Sequence, residues 1–188
     1  GNGIANVISG AGGILRTFTS GTAGLSITGT GANTFTGLTQ VDSGTLRLQK
    51  PGGVNAIGGD ALVNGGTLIL RADEQIPDGS TVTVSSGNFE YPNAAGVTSF
   101  YAETVGTIVA AGGSVNTRGG SISTGVLSIT GSGASVGVNG YQATAQRGVL
   151  TVSGSLEFSA AATLTVAEAG SGGANRLNLG GGITTTHA

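Results

Sequence analysis

A short phrase recurs along this sequence, and its spacing limits the folds that the chain can adopt. The phrase consists of a β-branched aliphatic residue, a glycine-containing turn and an alternating apolar strand. Three close copies begin at Val41, Val63 and Val84, so they stand 22 and 21 residues apart. Looser copies begin at Ile8, Ile27, Val109, Ile129, Val152 and Val166. Repeats of about 20 to 50 residues are typical of solenoids, in which each repeat buries its apolar face against the next.

The alternation within each phrase predicts strands. Apolar residues lie two positions apart, which places them on one face of a strand. In the first close copy, Leu46 and Leu48 would point inward, while Thr45 and Arg47 would point outward. Glycines fall between the strands, where sharp corners require positive φ or leave no room for a Cβ. We find no segment of about a dozen residues with helical periodicity, so we expect an all-β chain.

The repeat predicts a parallel β-helix in which each coil adds one rung about 4.8 Å from the last. About nine phrases give about nine coils and a rod roughly 40 Å long. Equivalent positions in neighbouring coils should stack on each other, because no coil can bury its apolar face alone. We therefore treat residues 1–188 as a single β-helical domain. We expect two internal columns: Val41, Val63 and Val84 in one, and Leu46, Leu68 and Phe89 in the other.

Two other β architectures share parts of this pattern. A β-sandwich also consists of short strands separated by turn signals, and it stays open as an alternative. A transmembrane barrel alternates in segments of about ten residues, but it requires aromatic girdles at both interfaces. Aromatic residues supply only 4% of this chain and tryptophan is absent, which disfavours the barrel.

Composition narrows the range of partners. Hydrophobic residues make up 38% of the chain and the net charge is only −2, so a compact fold is expected rather than disorder. The seven basic residues are scattered and form no phosphate-binding stripe, which argues against nucleic acid. No apolar run approaches the roughly 20 residues of a membrane-spanning helix, so we expect no membrane-embedded segment. The absence of cysteine excludes thiol catalysis, disulfides and thiolate metal sites.

The segment 26–48, SITGTGANTFTGLTQVDSGTLRL, resembles the autotransporter-associated β-strand repeat, also called the passenger-associated transport repeat. Gly31-Ala-Asn-Thr-Phe-Thr-Gly37 carries most of the resemblance, with phenylalanine where the family usually has tyrosine, and Gly44-Thr-Leu46 completes it. The preceding segment 6–13, NVISGAGG, is similar to the lead-in of that repeat. Weaker similarity extends to about residue 130, whereas the family's usual step between lead-in and repeat is degraded at 15–21.

The resemblance implies a right-handed β-helical passenger of a secreted or surface-exposed bacterial protein. We therefore expect an extracellular or outer-membrane-associated location, and a stalk, spacer or fibre-building segment without enzymatic activity, catalytic residues, cofactor or metal. Two alternatives stay open. One is an adhesin that binds a host surface or a polysaccharide, with Tyr91 to Glu103 as its projecting loop. The other is a carbohydrate-active β-helix.

The densest acidic cluster is the candidate metal site. Asp73, Glu74 and Asp78 place three carboxylates within six residues, and calcium prefers about six to eight oxygen ligands. The spacing matches neither an EF-hand loop nor a calcium-binding β-roll. We interpret the cluster as a solvated loop between two coils, and calcium binding stays open.

Acid–base catalysis of the glycosidase kind requires two carboxyl groups about 5 to 10 Å apart. The sequence predicts no such pair, because Glu90 and Glu157 stand alone on their strands. Glu103 and Glu168 are interpreted as loop or outer-face charges. His187 is the single histidine and is expected to fray near the C-terminus.

The ends of the predicted rod need a cover. A terminal coil exposes unpaired N–H and C=O groups, and β-helices usually cap them. Neither 1–13 nor 180–188 contains an amphipathic helix or a charged cap. We expect further repeats of the same chain or a second copy to stack on the end coils.

Overall fold

The chain folds from short and medium-length strands that follow one another around a common axis. A computed structural model describes residues 2–18, 24–92, 100–140, 147–159, 162–166 and 174–185. Within these ranges all regular elements are strands, which confirms the all-β prediction, and no helix there is long and apolar enough to cross a membrane. The strands are β1 (Asn2–Ile4), β2 (Ser9–Gly10), β3 (Ile14–Arg16), β4 (Gly24–Ile27), β5 (Thr34–Phe35), β6 (Thr39–Val41), β7 (Thr45–Leu48), β8 (Ala61–Leu70), β9 (Thr81–Glu90), β10 (Ala102–Ala110), β11 (Ser114–Asn116), β12 (Ser121–Ile129), β13 (Ser135–Val138), β14 (Val149–Phe158), β15 (Thr163–Val166), β16 (Arg176–Leu179) and β17 (Ile183–Thr185).

Strand pairing shows a parallel β-solenoid. The path β1-β4-β7-β8-β9-β10-β12-β14-β16 links each strand to one in the next coil, and the described pairs along it are all parallel. The predicted parallel β-helix is therefore confirmed. The β-sandwich alternative is wrong, because sandwich sheets are built from antiparallel strands.

The number of turns is about seven, so the prediction of nine coils is wrong. Counting phrases overestimated the turns because two phrases can lie on different faces of one coil. Ile27 pairs with Leu48 on one face of the solenoid, whereas Val41 pairs with Val63 on another face. Ile27 and Val41 nevertheless belong to the same turn. At about 4.8 Å per rung, seven turns give a rod roughly 34 Å long.

The two predicted internal columns are present in register. We call the first the valine column: Val41 is paired with Val63 and Val63 with Val84, and none of the three is exposed. The second, which we call the leucine column, runs through successive paired positions of seven coils. Its members are Leu25, Leu46, Leu68, Phe89, Val115, Val136 and Leu164. Side chains from both columns belong to one continuous apolar core.

Corner glycines let neighbouring coils approach each other closely. Gly87 lies inside β9 with φ of 83°, a conformation that costs L-residues about 1–2 kcal/mol. A Cβ at this position would overlap the carbonyl oxygen of Gly66 in the preceding coil. Both the backbone conformation and the close contact therefore require glycine.

We expect Gly87→Ala to lower the free energy of unfolding by roughly 2 kcal/mol or more, because conformational strain and a backbone overlap add. Gly79→Ala is the matched control, since a Cβ there meets nothing within 4 Å. Urea unfolding followed by circular dichroism measures both. Equal unfolding midpoints for the two variants would contradict the close approach at Gly87.

The last described coil has strand edges with no described partner. Among the residues that the structure describes, strands β15, β16 and β17 each pair only with a strand of the preceding coil. Three apolar side chains of this last described coil are 40 to 60% exposed: Val166, Leu179 and Ile183. The positions of the preceding coil that pair with them are buried.

Candidate functional site

The described polar groups with unusual environments gather inside the corners of the solenoid. At several corners a side-chain oxygen of one coil accepts a hydrogen bond from a backbone N–H of the preceding coil. The donor and acceptor pairs are Ile8 N to Asn33 Oδ1 (2.9 Å), Lys50 N to Gln75 Oε1 (2.7 Å), Arg118 N to Asn139 Oδ1 (2.8 Å) and Gly148 N to Asn175 Oδ1 (2.7 Å). These side chains satisfy amides that the sharp corner would leave without a strand partner.

The predicted acidic cluster lies at one of these corners and is engaged with strand β10. Asp73 accepts the Ala102 N–H at 2.7 Å. The Glu74 carboxylate accepts both the N–H and the hydroxyl of Thr104 at 3.2 Å. Asp78 is exposed. Two of the three carboxylates therefore join neighbouring coils.

Glu103 completes this arrangement from the opposite side. Its side chain is fully buried, so the interpretation as an outer-face charge is wrong. Its two oxygens accept the N–H groups of Gln75 (2.8 Å) and Ile76 (2.9 Å). We call the set Asp73, Glu74 and Glu103 the carboxylate corner, in which three carboxyl groups replace part of a backbone ladder between two coils.

The environment of Glu103 favours its neutral form. Burial raises the pKa of its carboxyl from 4.5 to about 8, and the negative charges of Glu74 and Asp78 add to the rise. The two backbone N–H bonds oppose this change, because they stabilise the ionised carboxylate. Burial also raises the pKa of the Tyr91 phenol, and Glu103 is the largest charge contribution there.

A buried lysine extends the hydrogen-bond network toward the N-terminal coils. The Lys50 residue is 1% exposed, and its ammonium donates to the carbonyl oxygens of Thr28 (2.9 Å) and Gly31 (2.7 Å). Its backbone N–H donates to Gln75, whose own N–H donates to Glu103. Side chains and backbone amides thus link four successive coils.

Aromatic and ionic contacts hold the chain beside this corner. The Tyr91 hydroxyl donates to the carbonyl oxygen of Ser121 at 2.7 Å, and the Tyr91 and Tyr101 rings stack with centroids 6.2 Å apart. Glu90, interpreted from the sequence as isolated, pairs with Arg118 at 2.7 Å. These contacts lie at both ends of the segment predicted to project, of which residues 93–99 lie outside the described part.

Two further described carboxylates accept hydrogen bonds from nearby polar side chains. Asp42 accepts hydrogen bonds from Gln40 (2.7 Å) and Asn64 (3.3 Å), and Glu157 accepts from Ser155 (2.8 Å). Among the residues that the structure describes, no group of three or more His, Asp or Glu side chains could hold a metal ion. His187 and Glu168 lie outside the described residues.

Sequence reasoning located the acidic loop but missed Glu103, Gln75 and Lys50. Strand alternation contained a signal for Glu103, because residues two positions apart point to the same face of a strand and Val105 is buried.

Comparisons of the chain with protein-family models, with curated proteins and with solved structures find no match.

Proposed function

We propose that this chain is a non-enzymatic structural module: a right-handed β-helical stalk, spacer or fibre-building segment of an extracellular or surface-attached bacterial protein of the autotransporter type. The leucine column supports this proposal most directly, since seven paired positions form one continuous row along the rod. The polar corners support it as well, because their side chains join one coil to the next.

Stacking of further coils on the exposed ends forms the second part of the proposal. The cover is either more of the same chain or a second copy, placed head to tail. Val166, Leu179 and Ile183 present apolar side chains beside unpaired strand edges, which another parallel coil would bury. A head-to-tail contact that does not close produces a filament.

Small-angle X-ray scattering over a concentration series tests the stacking. We expect particles that lengthen with concentration while their cross-section stays constant, and Ile183→Lys should keep them short. Leu38→Lys is the matched control, because Leu38 is exposed on the side of the rod in an inner coil. A size that does not change with concentration, or growth in cross-section, would contradict end-to-end stacking.

An adhesin is the second candidate, and Phe100 is the observation in its favour. This aromatic side chain is 66% exposed beside the stacked tyrosines, at the end of the segment predicted to project. An exposed aromatic ring is a common contact for a sugar face or an apolar partner surface. Binding on a glycan array that disappears in Phe100→Ser would favour the adhesin over the spacer.

A further inference from the structure

Three asparagines in the chain are followed directly by glycine: Asn2, Asn64 and Asn139. In such a pair the glycine has no Cβ to shield its backbone nitrogen, which can approach the carboxamide carbon of the asparagine and close a succinimide ring. In a folded chain the reaction depends on how firmly the carboxamide and the glycine are held. Gly3, which follows Asn2, is held in strand β1 by its pairing with Ser26.

The fold holds Asn64 weakly. Asn64 and Gly65 are both exposed, and they lie where the register between β8 and β9 shifts. Gly65 has φ of 134°, so the chain leaves the regular strand conformation at this pair. The hydrogen bond of the Asn64 side chain is a long one, from Nδ2 to Asp42 Oδ1 at 3.3 Å, and among the described residues only this bond restrains the carboxamide. Water and hydroxide can therefore reach it.

The fold holds Asn139 on several sides. Its Oδ1 accepts the N–H of Arg118 at 2.8 Å, and its Nδ2 donates to Asn116 Oδ1 at 3.3 Å. The Asn139 N–H donates to Thr117 Oγ1 at 3.0 Å, and its carbonyl oxygen accepts the N–H of Gly119 at 2.8 Å. The residue is half-buried. Its carboxamide cannot turn toward the following nitrogen unless these contacts open.

We propose that Asn64 is a deamidation site that the fold leaves reactive, whereas Asn139 is protected. The backbone nitrogen of Gly65, after losing its proton to hydroxide, attacks Cγ of Asn64. A bond forms between this nitrogen and Cγ, the bond between Cγ and Nδ2 breaks, and Nδ2 takes a proton from water and leaves as ammonia. A further water molecule opens the succinimide at either carbonyl, which gives aspartate or isoaspartate at this position.

The product loosens the joint between two coils. A carboxylate at position 64 faces Asp42, which now accepts the Asn64 amide, so an attraction becomes a repulsion between like charges. Isoaspartate also lengthens the main chain by a methylene group where there is little room, since a Cβ on Gly65 would lie 2.5 Å from the Asp42 carbonyl oxygen. Val63 of the valine column directly precedes the site, so we expect the modification to destabilise that coil.

Peptide mapping by mass spectrometry, in a time course at mildly alkaline pH, tests the proposal on the whole chain. We expect deamidation at Asn64 to be about tenfold or more faster than at Asn139, because the two hydrogen bonds of the Asn139 carboxamide must break before it reacts. In concentrated urea, which unfolds the chain, the two sites should react at similar rates. Asn178 is the matched control: it is exposed like Asn64 but is followed by Leu179, and it should stay intact.

Two variants separate the reaction from its consequence. Asn64→Gln should stop the reaction, because the longer side chain does not close the same ring. Asn64→Asp should lower the urea midpoint of unfolding, and adding Asp42→Asn should remove that loss. A wild-type midpoint in Asn64→Asp overturns the predicted loosening.

The reaction itself has its own contrary outcomes. Equal rates at Asn64 and Asn139 in the folded chain overturn the proposal. An Asn64 that stays unmodified in the folded chain, while the chain in urea reacts there, overturns it as well. A product that contains aspartate without isoaspartate overturns the succinimide route.

Discussion

Val63→Asp should prevent the solenoid from folding cooperatively. Val63 is completely buried between Val41 and Val84 in the valine column. An aspartate there would place a carboxylate among aliphatic side chains with no cation or N–H donor to pair with it. We expect a loss of roughly 4 kcal/mol or more in the free energy of unfolding, which is a large part of the stability of an ordinary domain.

The adjacent residue provides the control for this substitution. Leu62 lies on the same strand, but its side chain points to the opposite face and is half-buried. Leu62→Asp therefore keeps its carboxylate in contact with water, and we expect a cost near 1 kcal/mol. Far-ultraviolet circular dichroism and urea titration measure both variants. A Val63→Asp chain that unfolds at the wild-type midpoint would show that Val63 does not face the interior.

The two columns could be predicted from sequence because their signal is local and regular. Val41, Val63 and Val84 precede similar turns at nearly constant spacing, and strict alternation fixes which face each strand buries. Only the period was needed to align them. The parallel pairing then follows, since successive coils run in the same direction around the axis.

The number of turns could not be obtained in the same way. Ile27 and Val41 begin similar phrases, but one lies on the face of the leucine column and the other on the face of the valine column. A phrase indicates a strand beside a corner, and each coil has more than one such corner. The phrases therefore predict the kind of repeat but not the number of turns.

The buried polar residues were missed for a different physical reason. Lysine, glutamine and glutamate are rarely fully buried, so residue type alone gives no reason to place Lys50, Gln75 or Glu103 inside. Their burial is explained by backbone N–H and C=O groups that the corners leave without strand partners. Those groups come from coils 19 to 28 residues away in sequence, so the need for a polar side chain is visible only once the coils are stacked.

Position along the rod should decide how much one leucine contributes to stability. Leu68 and Leu164 belong to the same leucine column, but Leu68 is paired with Leu46 on one side and Phe89 on the other. Among the described residues, Leu164 is paired with Val136 alone, and it is half-buried. We expect Leu68→Ala to cost about 2–5 kcal/mol, because it leaves a cavity enclosed by two neighbouring coils.

Leu164→Ala should cost less than about 1 kcal/mol, because the last described coil has only one described neighbour and the truncated site stays open to water. Urea unfolding gives the two free energies, and hydrogen exchange locates the damage. Leu68→Ala should raise exchange in coils on both sides of β8, whereas Leu164→Ala should affect β15 and its neighbours alone.

An equal loss in the free energy of unfolding for the two substitutions would mean that the coils do not contribute through nearest-neighbour contacts. A larger cost for Leu68→Ala is what a stack of coupled coils requires, since an inner coil takes part in two interfaces and an outer one in a single interface.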